Sequence, residues 1–153
     1  MEQNRYTMET KTTDELRHEI KGATDIEDYL KNNRENLIHY NLTRHLNRLL
    51  SQKGISKAEV VRGSLLSKAY VYQIFSGERT PSRDKLIAIA FGLRLSEKET
   101  QDLLKISGKQ ELYAREERDA IILFSIQRNQ SIFEVNDLLF EHAFNTLGIS
   151  EES

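Results

Sequence analysis

Lys68, Ala69, Tyr72 and Gln73 pair off at a spacing of four, 68 with 72 and 69 with 73, inside the stretch SKAYVYQIFSG that runs from 67 to 77. At helical pitch these four share one side of a helix over 67–76, while Val71 and Ile74, with Tyr70 beside them, face the other way and pack down. The outward set mixes three chemistries. A glutamine amide both donates and accepts, a lysine ammonium only donates, and alanine or tyrosine carbon offers apolar contact. Base pairs display that inventory in the major groove of a duplex. Gln takes adenine, Lys donates to guanine, and Ala or Tyr carbon meets the thymine methyl.

A helix that reads DNA has to sit in a field that attracts phosphate, and the total charge of −2 argues against one. Its distribution argues for one. Leu42 to Leu95 carries ten Lys or Arg against three acids, a net +7, whereas residues 1–41 amount to −3 and residues 96–153 to −6. One basic segment between acidic flanks is the asymmetry expected when that segment meets a polyanion and the flanks do not.

Other chemistries find little support. There is no cysteine, which excludes disulfides and thiolate metal sites and fits a reducing cytoplasm. The four histidines, His18, His39, His45 and His142, lack ligand spacing, so surface or capping roles are expected and no metal. No phosphate-cradling glycine loop and no nucleophile elbow occurs, so no catalytic residue, cofactor or enzyme activity is expected. The N-terminus MEQNRYTMETKTTDEL is polar and acidic, with no signal-like segment, and no long apolar run marks a membrane span.

The elements that must hold the reading side chains are legible from their starts. A hydroxyl followed three residues later by Glu forms a capping box, in which each satisfies an orphan backbone N–H. The pattern occurs at Thr12/Glu15, Thr24/Glu27, Ser56/Glu59, Ser96/Glu99 and Ser131/Glu134. With a single proline, seven glycines and no sustained alternation, the class is all-α. Short acidic helices are expected near 13–21 and 25–33. An amphipathic helix runs from Leu42 through Leu46, Leu49 and Leu50 to Gly54, followed by helices over 56–63, 67–76 and 83–92.

An internal repeat marks the C-terminal part. Arg83-Asp84 returns as Arg118-Asp119, and Ser96-x-x-Glu99-x-x-Asp102-Leu103-Leu104 returns as Ser131-x-x-Glu134-x-x-Asp137-Leu138-Leu139, both at an offset of 35. The constant offset predicts two helical hairpins, 83–107 and 118–142, one docked on the other.

The segment from Ile55 to Ser82 resembles the helix-turn-helix of the lambda-repressor-like (XRE, Cro-type) regulators. The resemblance is carried by Ile55, Ser56, Glu59 and Val60, then Ser67, Tyr70, Val71, Gln73, Ile74, Gly77, Arg79, Pro81 and Ser82. It implies base contacts from Lys68, Ala69, Tyr72 and Gln73, and phosphate contacts from Lys57, Ser67, Ser76, Arg79, Thr80 and Arg83. Two positions depart from the family pattern. Leu65 stands at the turn position usually held by glycine, and in the family geometry it needs a left-handed backbone costing roughly 1–2 kcal/mol. Leu50 and Phe75 replace an Arg–Glu ion pair and are expected to touch, since exchanging both members of a buried pair for apolar groups can be neutral.

The resulting organisation is a disordered tail over 1–11, an acidic helical arm over 12–38, a DNA-binding domain over 39–95 and a helical extension over 96–153. The whole resembles a group of bacterial XRE-type regulators with a helical C-terminal extension. The apolar set Tyr113, Ile121, Ile122, Phe124, Phe133, Leu138, Leu139, Phe140, Phe144 and Leu147 is richer than one hairpin can hide. Most of it is expected as core, and the rest as a candidate homodimer face. The expected function is sequence-specific binding of double-stranded DNA in transcription regulation. The alternative is a protein-interaction module that keeps the fold, with partners meeting the acidic N- and C-terminal helices.

Overall fold

Helices form where the sequence supplies a cap and an apolar face. The computed structural model describes residues 11–148, and among them there is no strand. In chain order the helices are α1 (Thr13–Gly22), α2 (Ile26–Asn32), α3 (Ile38–Lys53), α4 (Lys57–Ser64), α5 (Lys68–Ser76), α6 (Arg83–Gly92), α7 (Glu97–Ile106), α8 (Glu117–Gln127) and α9 (Ile132–Glu141), with a 3-10 turn at Arg34–Asn36. Reciprocal capping boxes form at Thr12/Glu15, Ser56/Glu59, Ser96/Glu99 and Ser131/Glu134. The expected box at Thr24/Glu27 does not form. Asp25 is the N-cap instead and accepts from the Glu27 N–H at 3.1 Å. Its carboxylate stands next to the first helical residue, where an anion is favoured by the exposed N–H groups and the helix dipole.

The acidic arm is held by polar contacts more than by burial. Helix α1 buries no side chain and α2 buries only Tyr29. Residues 1–10 of the expected disordered tail lie outside the described residues. Lys11, the last residue assigned to that tail, is anchored. Its backbone N–H donates to Asn36 Oδ1 at 2.8 Å, and its ammonium reaches Glu19 at 2.7 Å and Asn33 at 2.9 Å.

The core begins at α3, which turns Leu42, Leu46 and Leu49 inward toward Val60 of α4, the inner face of α5 and nearly all of α6. Each such aliphatic side chain, fully buried, contributes about 1.5–3 kcal/mol. Helices α4 and α6 meet most closely at glycine. A Cβ on Gly92 would stand 2.9 Å from the Val60 carbonyl oxygen, and one on Gly63 would stand 3.0 Å from Gly92 Cα. Phe75 is buried and Leu50 is half-buried against the same core. The places of the exchanged ion pair are thus filled by apolar packing.

Helices α6–α7 and α8–α9 are one hairpin built twice, and the offset of 35 read from the sequence extends into the backbone. Left-handed residues recur at Arg94 (φ 57) and Asn129 (φ 56), then at Gly108 (φ 74) and Ala143 (φ 64). The side-chain amide of Gln101 clamps both backbone groups of Leu112, at 2.8 and 2.9 Å, and Asn136 clamps Leu147 in the same way at 2.8 and 3.0 Å. Arg83 Nε donates to the Gln110 carbonyl, and Arg118 Nε to the Asn145 carbonyl.

The twins are joined reciprocally. Arg83 binds both carboxylate oxygens of Asp119 (2.8 and 3.3 Å), and Arg118 binds both of Asp84 (3.0 Å each). Helix α6 meets α9 while α7 meets α8. Contacts exchanged in this way are those of an isologous interface, here within one chain.

Candidate nucleic-acid interface

Helix α5 starts at Ser67, whose hydroxyl accepts from the Tyr70 N–H at 3.1 Å, and stops at Gly77, which takes the left-handed conformation at φ 88. Between these limits Tyr70, Val71, Ile74 and Phe75 are buried. The same pitch leaves Lys68, Ala69, Tyr72 and Ser76 exposed and Gln73 half-buried, so the four expected base-contacting residues share the outward face. Asn47 of α3 fixes the far end of the helix by donating to the Phe75 carbonyl at 2.9 Å.

The exposed ring of Tyr72 organises the positive charge. Lys57 Nζ lies 5.2 Å from its centroid and Lys68 Nζ 5.7 Å, so the first residue of α4 and the first residue of α5 meet over one aromatic. Each contact of this kind contributes about 0.5–1 kcal/mol at an exposed site. Gln73 is oriented as well. Arg79 Nε donates to its Oε1 at 2.9 Å, which leaves the Gln73 NH2 group as a donor. The Arg79 guanidinium also lies 5.0 Å from the Tyr70 ring.

The loop after α5 is tied back to α3 by His39. One ring nitrogen meets the Gly77 carbonyl and the other the Thr80 hydroxyl, the latter at 2.8 Å. Because a carbonyl only accepts, Nε2 carries a proton. In the neutral ring Nδ1 therefore accepts from Thr80. The capping role expected of the histidines is taken here by His39 and, at the end of α9, by His142, whose Nδ1 meets the Leu138 carbonyl at 2.9 Å. The contribution of His39 to the interface could not be read from residues 39 and 80 standing 41 apart in sequence.

Of the expected phosphate-contacting residues, Lys57, Ser67, Ser76, Arg79 and Thr80 lie on α4, α5 and the loop that follows. Ser76 directs its hydroxyl to the Gln73 carbonyl at 3.1 Å. Arg83 differs. Its guanidinium donates to Asp119 and to the carbonyls of Gln110 and Glu111, so it faces the extension. The exchanged pairing of the twins, which lies outside the sequence motif, decides this.

The α4–α5 turn has the family geometry without the glycine. Leu65 is left-handed at φ 61, ψ 17. Its side chain joins the core, and Gly148, beyond the second hairpin, closes over the turn. A Cβ on Gly148 would stand 2.2 Å from the Ser64 carbonyl oxygen and 3.1 Å from Leu65 Cβ. The packing of Leu65 offsets the roughly 1–2 kcal/mol cost of its backbone.

Residues 46–99 match the helix-turn-helix family model, about a third of the chain. That segment is a lambda-repressor-like helix-turn-helix domain, a DNA-binding type, and it takes in the second half of α3, all of α4, α5 and α6, and the first turn of α7. No curated protein and no solved structure matches the chain. Among the described residues no group of His, Cys, Asp and Glu is placed to hold a metal ion, and no helix is long and apolar enough to cross a membrane.

Proposed function

We propose that this protein is a sequence-specific, double-stranded DNA-binding transcriptional regulator that lays α5 in the major groove. One observation carries the reading: two lysines converge on the exposed Tyr72 ring, on the outward face of α5. Lys68, Ala69, Tyr72 and Gln73 meet base edges. With its Oε1 held by Arg79, Gln73 acts chiefly as a donor, suited to guanine O6 and N7 or thymine O4. Lys57, Ser67, Ser76, Arg79 and Thr80 meet phosphate and fix the register. Arg83 serves the twin-hairpin interface, because its donors already face Asp119 and two carbonyls.

Selection from random duplex DNA at moderate salt, followed by footprinting, tests the reading. The expected result is one enriched site, bound with an affinity that falls steeply with salt. Lys68→Ala combined with Gln73→Ala changes sequence preference, whereas Lys57→Ala weakens all sequences alike. Recovery of no enriched site would sink the proposal and favour a module that keeps this fold for protein contact.

A further inference from the structure

The first hairpin is covered on the side away from its twin, and the cover has a definite chemistry. Helix α4 lies on α6 through the Gly63–Gly92 contact, and α3 lies on α7. Helix α3 is amphipathic and basic. Its Lys53 ammonium binds Glu99 at 2.8 Å, and His45, beside Arg48, feels the charge of Asp102. Glu99 thus serves its own capping box and a lysine from the covering helix at once.

The second hairpin carries the same face, and among the described residues no counterpart of α3 lies on it; its own Arg128 stacks over Phe124, 3.7 Å from the ring centroid. Glu134 and Asp137 stand where the first hairpin has Glu99 and Asp102. Glu134 makes the equivalent capping box, and neither carboxylate has an ion-pair partner among the described residues. Phe124 is 41% exposed, whereas its equivalent Ile89 is fully buried. Leu138 is half-buried where Leu103 is fully buried.

The flanks of this face have also changed character. Phe133 (59% exposed) and Phe140 (78% exposed) stand where the first hairpin has the solvated Lys98 and Lys105. Phe133 borders a cleft shared with Arg62, Phe91 and Arg94, whereas among the described residues nothing packs on Phe140 to account for phenylalanine there.

We propose that the open face of the second hairpin docks a basic amphipathic helix from a partner protein, in the position that α3 takes on the first hairpin. The partner helix lays aliphatic residues against Phe124 and Leu138, and its Lys or Arg reaches Glu134 and Asp137. Charge selects this occupant over a second copy. Among the described residues Arg128, over the Phe124 ring, is the one cation placed on this face against the carboxylates of Glu134, Asp137 and Glu141. Two such faces opposed across a two-fold axis would therefore carry an excess of like charge, which opposes closure.

The chain supplies its own surrogate ligand for the test. A fluorescein-labelled peptide of residues 37–54, the α3 sequence, is titrated with the full-length protein at low salt and followed by fluorescence anisotropy. Binding in the micromolar range is expected. It should weaken at least about tenfold in Phe124→Asp and in the double variant Glu134→Lys, Asp137→Lys, and should vanish when the peptide's Lys and Arg are replaced by Glu. These positions are exposed, and a circular dichroism melt checks that each variant is folded.

Three outcomes overturn the proposal. The first is no binding up to roughly millimolar peptide. The second is binding that responds to Glu99→Gln and ignores Glu134→Gln, which would mean exchange into the first hairpin. The third is a dimer in light scattering that Phe124→Asp dissolves, which assigns the face to a second copy.

Discussion

The twin hairpins have the same backbone and opposite fates. In the first, α6 is buried almost throughout, and Lys85, Leu86, Ile87, Ala88, Ile89, Ala90 and Gly92 all lie inside. In the second, α8 keeps Ile122, Leu123 and Ile126 inside and shows Phe124 to solvent. The devices that make each hairpin are local and recur at fixed offset: capping box, left-handed turn residue and amide clamp. Burial depends on what lies against the hairpin, and only the first has α3 and α4 over it. A repeated sequence therefore specifies a repeated element without specifying a repeated environment.

Breaking the joint between the twins has the largest expected effect. Arg83→Ala leaves the buried Asp119 with only the Tyr113 N–H among the donors that now satisfy its carboxylate. The expected loss is about 3 kcal/mol in urea denaturation, because removing one partner strands a buried charge. Arg118→Ala should cost less, since Asp84 is half-exposed. If Arg83 faces the extension, the salt slope of DNA binding by Arg83→Ala stays at the wild-type value. A slope reduced by about one unit would return Arg83 to the phosphates.

The next contrast separates the covered face from the open one. In Gly92→Ala the new methyl meets the Val60 carbonyl oxygen at 2.9 Å, and backbone cannot swing aside as a side chain can. A destabilisation of about 1–3 kcal/mol is expected. The equivalent position in the second hairpin is Gln127, which is exposed and whose side chain donates to Glu97 at 3.1 Å. Gln127→Ala should stay within about 0.5 kcal/mol in the same assay. Comparable losses at the two sites would mean that the second face is covered too.

The smallest effect is a pH dependence confined to the first hairpin's cover. Burial depresses the pKa of His45, Arg48 adds to the shift and Asp102 opposes it. The unfolded chain therefore takes up a proton more readily than the folded one. The stability tied to neutral His45 is complete above the ordinary imidazole value of about 6.5 and is lost as pH falls from there through the depressed folded value. Denaturation midpoints measured from about pH 7 down to about pH 5 should fall more gently in His45→Asn than in the wild type.

Features carried within a few residues were the ones legible in advance. Four of five capping boxes form, and the exception is instructive. At 24–27 two capping side chains are adjacent, and the carboxylate of Asp25 takes the place expected for the Thr24 hydroxyl. The outward face of α5 followed from its pitch, and the hairpins from their offset. Leu65 was legible as a strained position. What offsets the strain was not, because Gly148 lies more than eighty residues further along the chain.

By itself the sequence determined the helices, their caps, the helix-turn-helix motif and the existence of a duplicated hairpin, because hydrogen bonding and periodicity act at short range. Only the tertiary structure decided which partner each charged or apolar side chain has. Arg83 follows a motif that implies phosphate and lies against Asp119. Phe124 has the hydrophobicity of a core residue and is 41% exposed, with Arg128 over its ring. Burial and ion pairing depend on which elements meet in space, and no local pattern records that.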